Sequence, residues 1–178
     1  MGDADHEIGD VLVDEETLQA RVSGLAAQIS VDYEGREPLI VGVLKGAIFF
    51  IADLVREMSI DCELDFMAVS SYGTATTSSG VVRILKDLDT PLAGRHVLLV
   101  EDIIDSGLTL SYLHRNLMSR EPASLEICAL TAKPAGLGFR PAPKYIGFPI
   151  PDAFVVGYGL DYAQRHRGLP HIALLRQP

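Results

Sequence analysis

The stretch that decides the fold is residues 96–109, which read HVLLVEDIIDSGLT. Its consecutive apolar residues, 97–100, predict a strand that is buried on both faces of a parallel sheet. A polar loop rich in carboxylates and hydroxyls follows, and then an amphipathic helix begins. Such a junction often binds a ligand, because backbone N–H groups at the helix start are free to hold an anion. The same residues also fit a tight strand-to-helix turn with acidic capping residues.

Length and composition limit the classes of protein to which this chain can belong. Its 178 residues predict one domain, and a hydrophobic content of 48% is enough to bury a core. A formal net charge of −9 argues against binding to nucleic acid or to an anionic membrane. Cys62 and Cys128 lack metal-like spacing and predict core thiols in a reducing compartment. We therefore expect a cytoplasmic protein that acts on small molecules, with neither a signal peptide nor a transmembrane span.

Strands and helices alternate along the chain, which predicts an α/β fold with a parallel sheet. Asp14 is predicted to cap a first helix, and residues 1–12 are predicted to be frayed. Residues 70–80 are small and hydroxylated, which predicts a mobile loop. The proline-rich segment from 134 to 151 is predicted to be rich in loops. The other predicted strands lie at 39–44, 63–70, 81–85, 124–131, the start of 154–162, and 172–175.

The motif in residues 96–109 resembles the phosphoribosyl pyrophosphate loop of the phosphoribosyltransferases: apolar strand, Glu-Asp, two apolar residues, Asp, a hydroxyl residue, Gly, a free position and Thr. Other motifs narrow the resemblance to purine-salvage enzymes of the bacterial hypoxanthine-guanine type. These motifs are Lys45-Gly46, Ser71-Tyr72, Lys133, Phe154-Val155, and Leu160-Asp161-Tyr162 followed by Arg167. The resemblance extends from about residue 11 to residue 175.

This resemblance implies a type I phosphoribosyltransferase fold, in which a central, mostly parallel sheet is flanked by helices. It implies a single domain, 1–178, with a core of about 36–133 and a small hood made from about 134–178 and the N-terminal residues. It also implies a homo-oligomer, either a dimer or a tetramer, and a cis peptide bond between Leu44 and Lys45. The implied reaction moves the 5-phosphoribosyl group of phosphoribosyl pyrophosphate to hypoxanthine or guanine, which gives IMP or GMP and pyrophosphate.

The resemblance also assigns roles to individual residues. Asp105 is the expected general acid or base at N7 of the purine, and Lys133 is expected to donate to the 6-oxo group. Ser71 and Tyr72 are expected to belong to a lid that excludes water. The expected 5′-phosphate ligands are Asp105, Ser106, Gly107, Leu108 and Thr109; the pyrophosphate ligands are Lys45, Gly46 and Arg167; and the purine contacts are Ile103, Lys133, Phe154, Val155 and Asp161.

Glu101 and Asp102 would repel a bound phosphate unless a cation lay between them and the ligand. Mg²⁺ accepts carboxylate, ribose and pyrophosphate oxygens together, so magnesium is the expected cofactor. By resemblance, Asp161 serves a second magnesium ion on the pyrophosphate.

Several residues keep a structural interpretation beside the functional one. Ser106 and Thr109 can cap a helix, Ile103 and Phe154 can be core residues, and Asp161 can be a turn residue. A lone loop lysine such as Lys45 is usually solvated, and residues 70–80 can be a surface loop without a role. At the level of function, the alternative class is a non-catalytic sensor of phosphoribosyl pyrophosphate, against which the acidic net charge argues. An orotate, uracil or adenine transferase fits residues 154–161 less well.

Overall fold

The computed structural model describes residues 8–72, 81–138 and 140–176, which form nine strands and three α-helices. In chain order the elements are β1 (Ile8–Val13), α1 (Glu15–Asp32), β2 (Leu39–Leu44), α2 (Ile48–Glu57), β3 (Glu63–Tyr72), β4 (Val81–Lys86), β5 (His96–Ile104), α3 (Leu108–Met118), β6 (Ser124–Ala132), β7 (Tyr145–Pro149), β8 (Val155–Val156) and β9 (Ile172–Leu175).

The larger sheet has six strands in the order β4-β3-β2-β5-β6-β7. All neighbouring strands pair in parallel except β3 and β4, which are antiparallel. The predicted parallel α/β sheet is confirmed.

The apolar run 97–100 of β5 is buried on both faces of this sheet. Leu98 and Val100 pack with α1 and α2 in one core, whereas Val97 and Leu99 pack with α3 in the other. Side chains alternate between the faces of a strand, so an uninterrupted apolar run is what a doubly covered strand requires. This burial fixes β5 in the middle of the fold and with it the loop that follows.

The order of the strands creates a crevice between β2 and β5. From β2 the chain passes outward through α2 to β3 and β4, and it then returns to β5 and continues outward on the other side to β6 and β7. The connections that follow β2 and β5 therefore diverge from the same edge of the sheet. Open α/β sheets bind their ligands at such a switch point, outside the carboxyl ends of the strands.

Helix α1 begins as predicted at the Asp14 cap. The backbone N–H of Thr17 donates to Asp14 Oδ1 over 2.8 Å, and this hydrogen bond lowers the pKa of Asp14. The apolar residues of α1 recur at spacings of three and four, which places them on one face, and all of them are buried: Leu18, Val22, Leu25, Ala26 and Ile29.

The N-terminal prediction was wrong for residues 8–12. They belong to β1, which pairs antiparallel with β9, so that Ile8 lies opposite Leu175 and Val13 opposite Ile172. Gly9 and Asp10, which interrupt the apolar residues, hide this strand in the sequence, and its partner is more than 150 positions away. Together β1, β9 and β8 form a second sheet of three strands.

The segment 134–151, predicted to be rich in loops, also contains the strand β7. Its Tyr145 is buried, and its last residue, Pro149, lies on an edge strand, where a missing N–H is tolerated. β7 completes the larger sheet, which therefore extends beyond residue 134, and the division into a core and a hood stays a prediction. Four strands are also longer than predicted: β4 and β6 by one residue each, β3, which continues through Tyr72, and β5, which continues through Ile104.

Candidate active site

Two strand-end connections meet at the crevice, and the first is Lys45–Ala47 after β2. The peptide bond between Leu44 and Lys45 is cis, as the family resemblance implied. Gly46 lies directly against the carboxylate of Asp102, so close that a Cβ at position 46 would overlap Asp102 Oδ2. Only a glycine lets this backbone approach the end of β5 so closely.

The second connection is Asp105–Gly107, between β5 and α3. It is shorter than the loop predicted from the sequence, because Glu101, Asp102, Ile103 and Ile104 all belong to β5. Gly107 precedes the first residue of α3 and has a left-handed conformation with φ of 79°. No side chain at this position caps the helix. The Leu108 N–H makes a long hydrogen bond of 3.4 Å to Ser106 Oγ.

A cavity of about 230 Å³ opens at this helix start. Its lining residues are Val43, Val69, Glu101, Asp102, Ile103, Ile104, Asp105, Ser106, Gly107, Thr109 and Leu110. The first N–H groups of a helix have no partner within the helix and carry a partial positive charge. With the hydroxyls of Ser106 and Thr109 beside them, these groups can hold a phosphate.

A second cavity, of about 180 Å³, adjoins the first. Its lining residues are Asp102, Ile103, Asp105, Lys133, Phe154, Val155, Leu160 and Asp161. Asp102, Ile103 and Asp105 line both cavities and therefore form the wall between them. All five residues predicted to contact the purine lie here, and Leu160 is a lining residue that sequence reasoning missed. Its place in the Leu160-Asp161-Tyr162 motif was the available signal.

Lys133 and Asp105 lie side by side because their strands end in register. Ile104 of β5 pairs with Ala132 of β6, so the next residue of each strand leaves the sheet at the same level. Lys133 Nζ lies 3.2 Å from Asp105 Oδ2, and Asp152 Oδ1 lies 3.7 Å from the same nitrogen. Lys133 is 9% exposed, whereas the two carboxylates are largely open to solvent. Asp152 was not predicted as part of the site.

Phe154 stands at the rim of the second cavity with 41% of its surface exposed. The Tyr162 ring packs edge-on against it, with ring centroids 5.5 Å apart and an angle of 82° between the rings. A half-exposed aromatic ring that is held at its edge offers a face for a flat ligand.

The carboxylates of Glu101 and Asp102 are both poorly hydrated. Burial, followed by the charge of Asp102, raises the pKa of Glu101 well above its ordinary range. Burial also raises the pKa of Asp102 to about 6, although the Ile103 N–H lowers it by hydrogen bonding to this carboxylate. Within the described part of the chain, no group of three or more His, Cys, Asp or Glu residues could hold a metal ion alone.

The expected pyrophosphate ligands come from two distant parts of the chain, the connection after β2 and the 157–167 segment. Arg167 pairs with Asp161 Oδ1 over 2.7 Å and donates to the Gly159 carbonyl over 2.6 Å. Gly159, with φ of 100°, lies so close to the Gly46 carbonyl that a Cβ would overlap it. This contact brings the 157–167 segment onto the connection that carries Lys45.

The expected lid residues lie at one end of β3. The backbones of Ser71 and Tyr72 pair with Val82 and Val81 of β4. The side chains of Ser71 and Tyr72, and all of residues 73–80, lie outside the described residues, so the lid stays a prediction.

The model of the phosphoribosyl transferase domain family matches residues 10–163, and the chain therefore belongs to this family. It is 51% identical over 171 residues to the hypoxanthine-guanine phosphoribosyltransferase of Bacillus subtilis, which covers 96% of this chain and 95% of that protein. It is also 51% identical over 175 residues to the Mycobacterium tuberculosis enzyme of the same name, with coverage of 95% and 87%.

Solved structures show the same fold. A hypoxanthine-guanine phosphoribosyltransferase from Bacillus anthracis superposes with a TM-score of 0.90 at 46% identity, covering 96% of this chain and all of that one. A hypoxanthine phosphoribosyltransferase from Staphylococcus aureus gives a TM-score of 0.90 at 43% identity, with coverage of 95% and 92%. The expected type I phosphoribosyltransferase fold is confirmed. None of the helices in the described ranges is long and apolar enough to cross a membrane.

Proposed function

We propose that this protein is a purine-salvage enzyme that transfers the 5-phosphoribosyl group of phosphoribosyl pyrophosphate to hypoxanthine or guanine, with IMP or GMP and pyrophosphate as products. The observation that carries this proposal is the pair of adjoining cavities with a common wall. One lies at an open helix start and suits a phosphate, and the other contains a lysine, a carboxylate and an aromatic ring and suits a base. The common wall of Asp102, Ile103 and Asp105 then faces the ribose.

The Lys133–Asp105 pair matches the edge of a 6-oxopurine. O6 accepts a hydrogen bond from Lys133, and a protonated N7 beside it donates one to Asp105. Adenine presents an amino donor in place of O6, so that two donors would face each other. The Lys133 ammonium would then be a buried donor without a partner, which is costly. This cost discriminates against adenine more strongly than the small difference in shape between the two bases.

In the transfer step, N9 of the purine forms a bond to C1 of the ribose as the bond from C1 to pyrophosphate breaks. The purine becomes positively charged, and Asp105 takes the N7 proton. A positioned carboxylate in this role contributes about 10²- to 10⁴-fold to the rate. Ile103 and Phe154 hold the ring between them, and the backbone near Val155 and Asp161 receives its remaining edge. Holding the reacting atoms in line supplies much of the remaining acceleration.

The charges of the site fit a Mg²⁺ ion. Glu101 and Asp102 place two adjacent carboxylates in the wall of the phosphate cavity, and burial raises the pKa of both. Their oxygens, with ribose hydroxyls and pyrophosphate oxygens, provide the hard ligands that magnesium prefers. Bound there, the metal supplies positive charge that stabilises the leaving pyrophosphate. Asp161, which already pairs with Arg167, is the proposed ligand of a second ion.

The pyrophosphate is proposed to bind Lys45, Arg167 and the Gly46 amide. The 5′-phosphate is proposed to bind the 105–109 segment. The lid of Ser71 and Tyr72 is proposed from the family resemblance and from the small, polar composition of residues 70–80. Tyr72→Ala should then increase hydrolysis of phosphoribosyl pyrophosphate when no purine is present.

We also propose a homo-oligomer in the cytoplasm. Ile48 and Phe49 at the start of α2 are 46% and 42% exposed, which leaves an apolar surface for a second copy. Both cysteines are free thiols, which fits a reducing compartment. Light scattering on the purified chain tests the oligomer, for which a dimer or a tetramer is the expected mass.

Release of pyrophosphate tests the proposed reaction. The assay offers hypoxanthine, guanine, xanthine, adenine and orotate in turn, each with Mg²⁺ and with EDTA. We expect release with hypoxanthine or guanine and Mg²⁺ only. Release that persists in EDTA would remove the metal from the proposal, and release with orotate alone would overturn the proposed substrate.

A further inference from the structure

One side-chain oxygen lies between the two cations of the pyrophosphate region. Lys45 Nζ donates to Gln164 Oε1 over 3.1 Å, and Arg167 Nη2 donates to the same oxygen over 3.3 Å. Lys45 and Arg167 are 122 positions apart in the chain. Gln164 therefore connects two distant parts of the chain whose cations are proposed to bind the same anion.

A tight turn of the backbone holds Gln164 in place. Gln164 itself is left-handed, with φ of 67°, and its N–H donates to Asp161 Oδ2 over 2.8 Å. Tyr162 and Arg165 close the turn with two backbone hydrogen bonds of 2.8 and 3.1 Å. A non-glycine residue in this conformation is disfavoured, so the surrounding contacts must hold it in place.

From this geometry we infer that Gln164 is a positioning residue for pyrophosphate, an inference that rests on the proposed function. The amide oxygen of Gln164 holds Lys45 and Arg167 together, in the position that an oxygen of the pyrophosphate group takes when phosphoribosyl pyrophosphate binds. Two cations brought close without an acceptor would repel each other, and the amide dipole offsets that repulsion.

The neutrality of Gln164 is essential to this role. A phosphate oxygen carries negative charge that an amide oxygen lacks, so it attracts the two cations more strongly and displaces the amide oxygen from them. Asp161 already neutralises Arg167, which leaves the charge of Lys45 to attract the anion. A carboxylate at position 164 would cancel that charge as well and would compete with the substrate.

Two substitutions separate the parts of this inference. Gln164→Glu keeps the shape and adds a negative charge, whereas Gln164→Met keeps the bulk and removes the strong acceptor. Gln28→Glu makes the same charge change on an exposed position of α1 and serves as the matched control. Calorimetry with pyrophosphate and Mg²⁺ measures binding without turnover, and steady-state kinetics give KM for phosphoribosyl pyrophosphate and for hypoxanthine separately.

For Gln164→Glu we expect the affinity for pyrophosphate to fall and KM for phosphoribosyl pyrophosphate to rise, each by about five- to tenfold. Gln164→Met should change both in the same direction by about two- to threefold, because Lys45 is then no longer ordered before binding. KM for hypoxanthine and all constants of Gln28→Glu should stay at the wild-type values.

Two results would overturn the inference. One is wild-type pyrophosphate affinity in Gln164→Glu, and the other is a rise in KM for hypoxanthine as large as that for phosphoribosyl pyrophosphate. Turnover by the wild-type protein tests the proposed function independently. A wild-type protein that turns over while Gln164→Glu binds pyrophosphate normally would contradict only the role of Gln164.

Discussion

Lys133 Nζ lies 3.2 Å from Asp105 Oδ2, and each residue directly follows a strand of the central sheet. The Lys133 N–H donates to the Ile104 carbonyl over 2.9 Å, so the backbone of Lys133 is joined to the residue immediately before Asp105. A cationic donor and an anionic acceptor thus stand side by side on a rigid support. We propose that this pair selects a base that has an acceptor beside a donor.

Asp105→Asn should lower kcat at least tenfold, because an amide cannot take the N7 proton and general-base catalysis is worth about 10²- to 10⁴-fold. The side chain is 63% exposed, so the fold should tolerate the change. Single-turnover kinetics with hypoxanthine measure the effect, and a thermal melt confirms folding. Turnover near the wild-type rate would remove Asp105 from its role.

Lys133→Met should raise KM for hypoxanthine by about 10- to 100-fold, since a charged hydrogen bond to O6 is worth about 1.5–3 kcal/mol. The preference for hypoxanthine over adenine should fall by a similar factor. Lys144→Met is the matched control, because Lys144 pairs with Asp32 over 3.1 Å and lines neither cavity. Unchanged discrimination in Lys133→Met would place the selectivity elsewhere.

Gly46→Ala should lower kcat/KM for phosphoribosyl pyrophosphate by about 10²-fold, a loss typical of a displacement of about 1 Å. The new methyl group would overlap the Asp102 carboxylate and push the connection away from the site. Gly24→Ala provides the control, because a Cβ there meets nothing within 4 Å and lies on α1. Equal kinetics for the two variants would show that the close approach of Gly46 to Asp102 is unimportant.

Asp65 ties β3 to the turn that follows β4, and its titration should appear in the stability of the fold. Its carboxylate accepts hydrogen bonds of 2.7, 2.9 and 2.8 Å from the backbone N–H groups of Phe66, Asp89 and Thr90. Burial raises the pKa of Asp65, but these bonds outweigh burial and hold the pKa below 3.8. Because folding lowers this pKa, the resulting stability is present above pH 3.8 and is lost as the pH falls through the folded-state pKa.

Asp65→Asn should therefore reduce the free energy of unfolding at neutral pH by about 1–3 kcal/mol, since the backbone donors lose a charged acceptor. Urea unfolding between neutral pH and about pH 3 measures the difference between variant and wild type. That difference should be constant at neutral pH and should shrink below pH 3.8. Asp61→Asn, on an exposed position, serves as the control. A difference that is independent of pH would contradict the account of Asp65.

The sequence predicted the centre of the fold because burial there leaves a local signal. The apolar runs of β2 and β5, the stripe of α1 and its Asp14 cap are each set by residues that are close together in the chain. The strands β1 and β7 have no such signal. Their formation depends on pairing with β9 and β6. Gly9 and Asp10 in β1, and Gly147 and Pro149 in β7, conceal the alternating pattern of a strand.

The site shows the same division. The motif residues on the strand ends, from Glu101 to Thr109 and Lys133, could be placed together from the sequence because parallel strands end at one edge. Asp152 and Gln164 could not, since their contacts depend on how the 150–167 segment folds back over the sheet. Four non-glycine residues in that segment have positive φ values, which residue preferences do not predict: Tyr158, Ala163, Gln164 and His166.

The measurement that tests the central claim most directly is product formation from phosphoribosyl pyrophosphate and Mg²⁺ with hypoxanthine or with adenine as the base. Chromatography quantifies the nucleotide, and a coupled assay quantifies pyrophosphate. We expect IMP and pyrophosphate in equal amounts from hypoxanthine, and no AMP from adenine under the same conditions. Absence of IMP, or formation of AMP at a comparable rate, would contradict the proposal that Lys133 and Asp105 select a 6-oxopurine for transfer.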